Sequence, residues 1–407
     1  NPAAFEKRRK IGRLARAMIS LEAAQSRLLA LATPLPVETV PLIDAAGRWA
    51  AEDVIARRTQ PVRPLSAMDG YALASGNAGP WRVIGESAAG RPFGGDVAAG
   101  EAVRIFTGAA VPEGADAVVM QEDVDRDGDT IRIAANNLPS AGRHIRQEGS
   151  DFRAGTVLVG AGERLTPARI ALAAGGGYGE ISVHRRPRVA LLATGDELVP
   201  PGMDTGTERL PESNTSMIAA QIRDLHCDIN NIGIVPDNVS NLIEAIGSVG
   251  ADLLITMGGA SVGDHDLVKP ALELCGASLD FWKVAMRPGK PVMAGRLGGM
   301  IVLGLPGNPV SAFVTAMLFA RPVVSALAGA HDPLPRRIAA RLAAPLRANG
   351  DRIDHIRAML TPDGVRPVGP NDSAAMSGLA AADCLIVRPP AAPPANVGDD
   401  VLIILLA

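Results

Sequence analysis

Hydrophobic and polar positions change period several times along the chain. Between residues 14 and 31, Leu14, Met18, Leu21, Leu28 and Leu29 fall near helical spacing, and Ser20 is placed to cap a helix opening at Leu21-Glu22. From about 42 to 150 the pattern becomes short β-branched runs: Trp81-Arg82-Val83-Ile84, Val103-Arg104-Ile105-Phe106, Ala117-Val118-Val119-Met120 and Thr130-Ile131-Arg132-Ile133. Gly, Pro and Asp turns separate them, which predicts a β-rich domain. Residues 151–185 mix strand and helix around a Gly175-Gly176-Gly177 break.

The next segment is the most regular. Apolar strands at Arg188 to Ala193, Ile229 to Val235, Asp252 to Met257 and Met300 to Leu303 alternate with helical stretches at about 214–225, 239–247, 266–275 and 309–328. Such alternation predicts a parallel sheet with helices on both faces. After Pro333 to Pro335 the pattern returns to short strands, ending in Asp400-Val401-Leu402-Ile403-Ile404-Leu405. The expected organisation is an α/β multidomain chain with a basic flexible arm at 1–13. A mixed α/β linker domain takes 14–41 plus 149–185, and a β-rich domain takes 42–148. A doubly wound, mostly parallel sheet domain follows at 186–331, and a small β domain closes the chain at 332–407.

Composition narrows the function classes. A hydrophobic fraction of 47% over 407 residues supplies real cores and excludes disordered or collagen-like structure. A formal charge of -3 provides no global field for nucleic acid or for an anionic membrane, so any anion site is local. Cys227, Cys275 and Cys384 are far apart and form no CxxC, which argues for a reducing cytoplasm over a disulfide framework or thiolate zinc site. The scattered histidines form no metal-binding pair. No membrane span is expected, because the apolar stretch Met300 to Ala320 is broken by Leu305-Pro306-Gly307-Asn308-Pro309. With Asn1 in place of an initiating methionine, trimming ahead of this numbering is expected, and no long apolar run of a retained secretory signal follows Lys7-Arg8-Arg9-Lys10.

Candidate chemistry collects where an open parallel sheet binds ligands, beyond the carboxyl ends of its strands. The loops there are Thr194-Gly195-Asp196-Glu197-Leu198, Pro236-Asp237-Asn238, the run from Gly258 to Asp266, and Leu305-Pro306-Gly307-Asn308-Pro309-Val310-Ser311. Glycines expose backbone N–H groups to a phosphate, and Ser261, Ser311 and Asn308 add side-chain hydrogen bonds. Asp196, Glu197, Asp237, Asp264 and Asp266 would repel that phosphate unless a hard divalent cation lies between them. The combination points to a metal-assisted phosphate or pyrophosphate site.

Lysine is scarce: only Lys7, Lys10, Lys269, Lys283 and Lys290 occur, yet Lys283, Arg287 and Lys290 fall within eight residues. Extended spacing places Lys283 and Arg287 on one side, and with Lys290 they suit a small oxyanion or a phosphate. No GxxxxGK[ST] occurs, which disfavours an ordinary P-loop ATPase.

Six motifs in order carry a family resemblance: Ser66-Ala67-Met68-Asp69-Gly70-Tyr71-Ala72, Thr107 to Val119, the Thr-Gly-Asp-Glu-Leu loop, Gly-Gly-Ala-Ser-Val-Gly-Asp, Arg-Pro-Gly-Lys-Pro, and Leu-Pro-Gly-Asn-Pro-Val-Ser. Over about residues 18 to 407 the chain resembles the molybdopterin molybdenumtransferases, the bacterial MoeA proteins, which are similar to the E domain of gephyrin. The resemblance implies that the central sheet is of the molybdopterin-binding type and that the last domain is barrel-like. It implies insertion of molybdate into adenylylated molybdopterin, with divalent-metal (Mg2+) assistance and release of AMP and molybdenum cofactor. As catalytic residues it implies Asp69, Thr107, Glu197, Asp237, Asp266, Lys283 and Arg287, with Glu197, Asp237 and Asp266 facing the metal. Substrate binding falls to Gly195, Ser213, Asn214, Gly258, Gly259, Ser261, Gly263, Lys290, Pro291, Pro306, Gly307, Asn308, Pro309, Arg357 and Ser373.

The resemblance also implies a cytoplasmic homodimer, with Asp69 and Thr107 reaching the partner's sheet domain. A molybdopterin adenylyltransferase and molybdoenzyme chaperones are its implied protein partners. Two departures stand out: Arg287 occupies a position where several relatives carry lysine, and Ala374-Ala375 follow Ser373 where relatives often place His or Arg. Competing readings are a molybdopterin adenylyltransferase or pyrophosphohydrolase on the same sheet domain, and a non-catalytic cofactor-binding scaffold. The segment bearing Asp69 and Thr107 counts against the first, and the retained charged residues against the second.

Overall fold

The computed structural model describes residues 18–133, 138–258, 267–369, 372 and 374–406. The basic arm, Gly259, Ser261, Gly263, Asp264, Asp266 and Ser373 lie outside the described residues.

Near the start, helix Leu21–Leu29 opens on Ser20, whose Oγ accepts the Ala23 N–H at 3.1 Å, and it buries Leu21, Ala24 and Leu28 against the main core. Residues 37–66 then pair with residues 145–184. Strand Val37–Pro41 pairs antiparallel with Glu180–His184, Val54–Ile55 with Val157–Val159, and Leu65–Ser66 with Ile145–Arg146. These short ladders lead to a six-stranded sheet built between residues 70 and 133, in the order Ala117–Met120, Gly70–Leu73, Glu101–Ile105, Trp81–Ser87, Thr130–Ile133, Val124–Asp127. Arg185 clamps Asp252 with two hydrogen bonds of 2.8 and 2.7 Å, tying the end of the linker strand to the amino edge of the next sheet.

That sheet is central. Its order is Asp228–Val235, Arg188–Thr194, Leu253–Met257, Met300–Leu305, Pro291–Leu297, Ser278–Lys283. The first four strands run parallel, as their alternation with helices predicts; Leu253–Met257 is buried along its whole length, because helices cover both faces. The last two strands form an antiparallel hairpin with Lys283 opposite Pro291, so the sheet is mixed. The strict βα alternation read from the sequence omits this hairpin, whose connection carries the basic run.

Helix Pro309–Thr315 continues through a wider turn, Ala316–Ala320, into Arg321–Leu327. Its 19 residues are long and apolar enough to cross a membrane, with a mean hydropathy of 1.7, but 83% of the most apolar stretch is buried inside the protein. The stretch Met300 to Ala320 is interrupted at Leu305-Pro306-Gly307-Asn308-Pro309 as expected, a strand ending at Leu305 and this helix opening at Pro309, where a missing N–H costs nothing. Core burial explains the apolarity.

The last sheet is ordered Met286–Arg287, Ile353–Thr361, Cys384–Arg388, Asp400–Leu405, Ile338–Arg341, with Gly364–Pro367 also paired to Ile353–Thr361. A Leu342–Val365 bridge and the Ala343 N–H to Val365 carbonyl bond at 2.8 Å bring its two sides together, giving a barrel-like closure. Its first strand is borrowed from the loop between the two hairpin strands of the central sheet.

Candidate active site

A cavity of about 730 Å³ opens at the carboxyl ends of the central strands. Its floor is made by Thr194, Met257 and Gly258, where strands Arg188–Thr194 and Leu253–Met257 end. Gly258 has φ +90, and a Cβ there would lie 2.6 Å from the Thr194 carbonyl oxygen, so only glycine lets the two strand ends pass. Glu197 lines one side; a Cβ on Gly195 would meet its carboxylate at 2.7 Å.

The opposite wall is Pro306, Gly307, Asn308 and Pro309, facing Ser213 and Asn214 at the start of helix Asn214–Ile222. Asn214 donates from Nδ2 to the Gly307 carbonyl at 2.7 Å, joining the two loops. Its Oδ1 is buried and has no protein partner among the described residues. The helix start is held by Glu212, a residue not singled out from the sequence. Its carboxylate accepts the N–H groups of Asn214 and Thr215 at 2.8 and 3.0 Å, together with the Thr215 hydroxyl, while Ser213 makes no side-chain cap.

A second cavity, of about 390 Å³, adjoins the first across Gly289, Lys290 and Ser311, which line both. Arg287, Arg352 and Arg357 make it cationic, and His355 and Asp372 complete the polar lining. Gly289 takes φ +92 and comes so close to helix Pro309–Thr315 that a Cβ would lie 2.4 Å from Thr315 Cγ2. Arg357 is buried and spends two donors on the carbonyls of Ala375 and Asp372, at 2.7 and 3.1 Å. Burial lowers its affinity for the proton below the ordinary arginine range. Arg287 is ion-paired with buried Asp354, and that hydrogen bond raises its pKa.

Several sequence expectations change here. Lys283 lines neither cavity: the chain leaves the hairpin strand after Lys283 and joins the C-terminal sheet at Met286–Arg287, so strand parity does not link Lys283 to Arg287. Asp237 also lines neither cavity, but accepts a hydrogen bond from the Thr194 hydroxyl on the floor of the first. Among the described residues no cluster of three metal-ligating side chains forms; of the expected metal group, Glu197 lines the cavity, Asp237 lies behind Thr194, and Asp266 is outside the described residues. Asp69 and Thr107 are exposed on the β-rich sheet and contribute to neither cavity of this chain. The Thr107 N–H and hydroxyl donate to Asp69 Oδ1 at 2.7 and 2.9 Å, and the backbone bond above all holds the carboxyl below its usual range. A different cavity of about 780 Å³, by Phe93 and Glu113, contains no expected site residue.

The family comparisons agree with this layout. Residues 19–177 match the MoeA N-terminal region (domain I and II), 190–326 a probable molybdopterin binding domain, and 339–406 the MoeA C-terminal region (domain IV). A molybdopterin molybdenumtransferase of Haemophilus influenzae is 36% identical over 382 residues, covering 91% of this chain and 94% of that protein. The chain belongs to the molybdopterin molybdenumtransferase family. Within that family, molybdopterin molybdenumtransferase 2 of Mycobacterium tuberculosis is 36% identical over 370 residues, covering 86% of this chain and 90% of its own. The crystal structure of a molybdopterin biosynthesis MoeA protein from Pyrococcus horikoshii superposes with a TM-score of 0.82 at 25% identity, covering 96% of this chain and 100% of that one. As a molybdopterin molybdenumtransferase family member, the protein is a transferase of molybdenum cofactor biosynthesis.

Proposed function

We propose that the chain inserts molybdate into adenylylated molybdopterin, with cleavage of the phosphoanhydride and release of AMP and molybdenum cofactor. The observation that carries this reading is the wall shared by the two cavities, Gly289, Lys290 and Ser311. A nucleotide-linked pterin at the strand ends and a tetrahedral oxyanion among the arginines would then meet at Lys290, whose ammonium stabilises negative charge as it develops. Asn214, fixed by Glu212 and bonded to Gly307, offers a preset polar contact to the first substrate. Arg357 holds the carbonyls of Asp372 and Ala375 at the edge of this cavity. Asp354 holds Arg287 at the rim of the oxyanion cavity.

Magnesium suits the residues present, since it binds through one or two carboxylates plus substrate phosphates. Glu197, which lines the strand-end cavity, is the oxygen donor that would hold it, with Asp237, bonded by the Thr194 hydroxyl behind the floor, and Asp266 as the further candidates. When bound, such a cation neutralises the phosphate oxygens of a breaking anhydride. The exposed, mutually bonded Asp69 and Thr107 serve the partner's site in a homodimer. A molybdopterin adenylyltransferase supplies the substrate and molybdoenzyme chaperones receive the product. The three free thiols accord with a reducing cytoplasm as the setting.

The test is AMP release from adenylylated molybdopterin by purified protein with magnesium, before and after adding molybdate. Molybdate-triggered release is expected; no release sinks the reading. Pyrophosphate formed from ATP and molybdopterin would mark an adenylyltransferase instead, and bound cofactor without turnover a scaffold. Lys290→Ala should raise the KM for molybdate by about tenfold or more, the effect of losing one charge-assisted hydrogen bond, and leave cofactor binding less affected. Equal loss of both contradicts the role given to Lys290.

A further inference from the structure

Strand Ile353–Thr361 sends two buried side chains to the smaller cavity, His355 at 3% exposure and Arg357 at 5%, two residues apart and so on one face of the strand. Arg357 is occupied with backbone carbonyls. His355 is not: neither Nδ1 nor Nε2 has a hydrogen-bond partner among the described residues, although both are buried. Buried polar groups in folded proteins are almost always satisfied, and each exception calls for an explanation such as an absent ligand. The cavity that His355 lines also holds Arg287, Lys290 and Arg352, so a ligand there is an anion.

The charge state of the ring matters for its role. Burial, reinforced by Arg337, pushes the imidazole down to about 4, against the pull of Asp354 and a weak attraction from the Arg287 backbone that falls short of hydrogen-bond geometry. It is therefore neutral where its neighbours Arg287, Lys290, Arg352 and Arg357 are charged, and Asp372 is the acidic group on the same lining. A neutral imidazole keeps one N–H to donate and adds no further like charge to the cluster. Phosphate-sized oxyanions have more acceptor lone pairs than a lysine and an arginine can satisfy, so an additional neutral donor is of use.

We propose that His355 is a binding residue of the oxyanion pocket, donating a ring N–H to the tetrahedral oxyanion held beside Lys290 and Arg357. The inference rests on the molybdate reading of this pocket and extends it by one residue. Its predicted contact is made by a side chain that the neighbouring cations do not replace.

The experiment is equilibrium dialysis of inorganic molybdate against the full-length protein and the variants His355→Phe, His355→Gln and Lys290→Ala, with the KM for each substrate measured in parallel. His355→Phe should weaken molybdate binding about tenfold, the loss of one buried hydrogen bond to a charged ligand, and leave the KM for adenylylated molybdopterin within about twofold. His355→Gln, which retains an N–H donor, should recover part of the affinity. Because the ring is already neutral, the loss should be equal at about pH 6 and pH 8. Should His355→Phe fail to fold, the imidazole nitrogen shifts of the wild type, followed by NMR during molybdate addition, answer the same question: a donor shift supports the contact and unchanged shifts overturn it. Unchanged affinity in a folded His355→Phe, with Lys290→Ala defective, overturns the role of His355 alone. A wild type that binds no molybdate overturns both this inference and the reading beneath it.

Discussion

Gly258 shows how one residue is constrained from two directions. Its positive φ excludes most side chains, and the Thr194 carbonyl occupies the place of its Cβ. Gly258→Ala should therefore destabilise the protein by about 1–3 kcal/mol, as expected of a side chain forced into a left-handed conformation against rigid backbone; urea unfolding measures it, and a change under about 0.5 kcal/mol would show that the strand ends relax freely. The sequence singles out this glycine for its freedom to approach a ligand. The structure assigns it first to the passage of two strand ends. Arg287 illustrates the reverse case. Its charge is plain in the sequence, whereas its partner Asp354 lies 67 residues away, a pairing that no local pattern encodes.

At the scale of elements, helix Asn214–Ile222 depends on a carboxylate outside it. Glu212 is buried and supplies the acceptors that Ser213, in the capping position, does not. Glu212→Ala would leave two backbone N–H groups and the Thr215 hydroxyl unpaired. We expect a loss of about 1–3 kcal/mol, the range for removing a cap or stranding buried donors, and a raised KM for adenylylated molybdopterin as Asn214 loses its anchor. A thermal melt and a substrate titration check the two parts; lowered stability with an unchanged KM would separate the helix from the site. The four parallel strands and their helices were legible because each has an apolar run of distinct period. The Ser278–Leu297 hairpin was not, since its basic connection lacks the Asn-Gly or Asp-Gly signal of a tight turn and instead forms a strand elsewhere. Glu212 was missed for a related reason: a glutamate before a Ser-Asn-Thr-Ser run looks like surface until its burial is known.

Across the whole molecule, the residues expected to act together are divided between distant sheets. The two cavities collect Glu197, Asn214, Gly258, Lys290, Asn308 and Arg357, but not Asp69 or Thr107. If two copies complete each other's sites, Asp69→Asn and Lys290→Ala chains, each impaired alone at low molybdate, should regain activity when mixed. About half of wild-type activity per heterodimer is expected, since a two-fold pair leaves one of its two sites free of substitutions. Mass analysis confirms mixing, and a mixed species without recovered activity would show that Asp69 does not act in the partner's site. The sequence brings these residues together only through family resemblance, because hydrophobic periodicity specifies elements within a chain and is silent about the surface of a second copy.

The loan of Met286–Arg287 to the C-terminal sheet has a mechanical consequence. One rim of the smaller, arginine-lined cavity is stitched by backbone pairing to Ile353–Asp354, while Lys290, only three residues past Arg287, belongs to the approach to the central strand Pro291–Leu297. The C-terminal barrel thus cannot swing as an independent body without dragging on the arginine and lysine at once. Any tilt between the two sheets is converted into a change in the spacing of the charges that line this cavity, so the seam works as a lever whose short arm is the pocket itself.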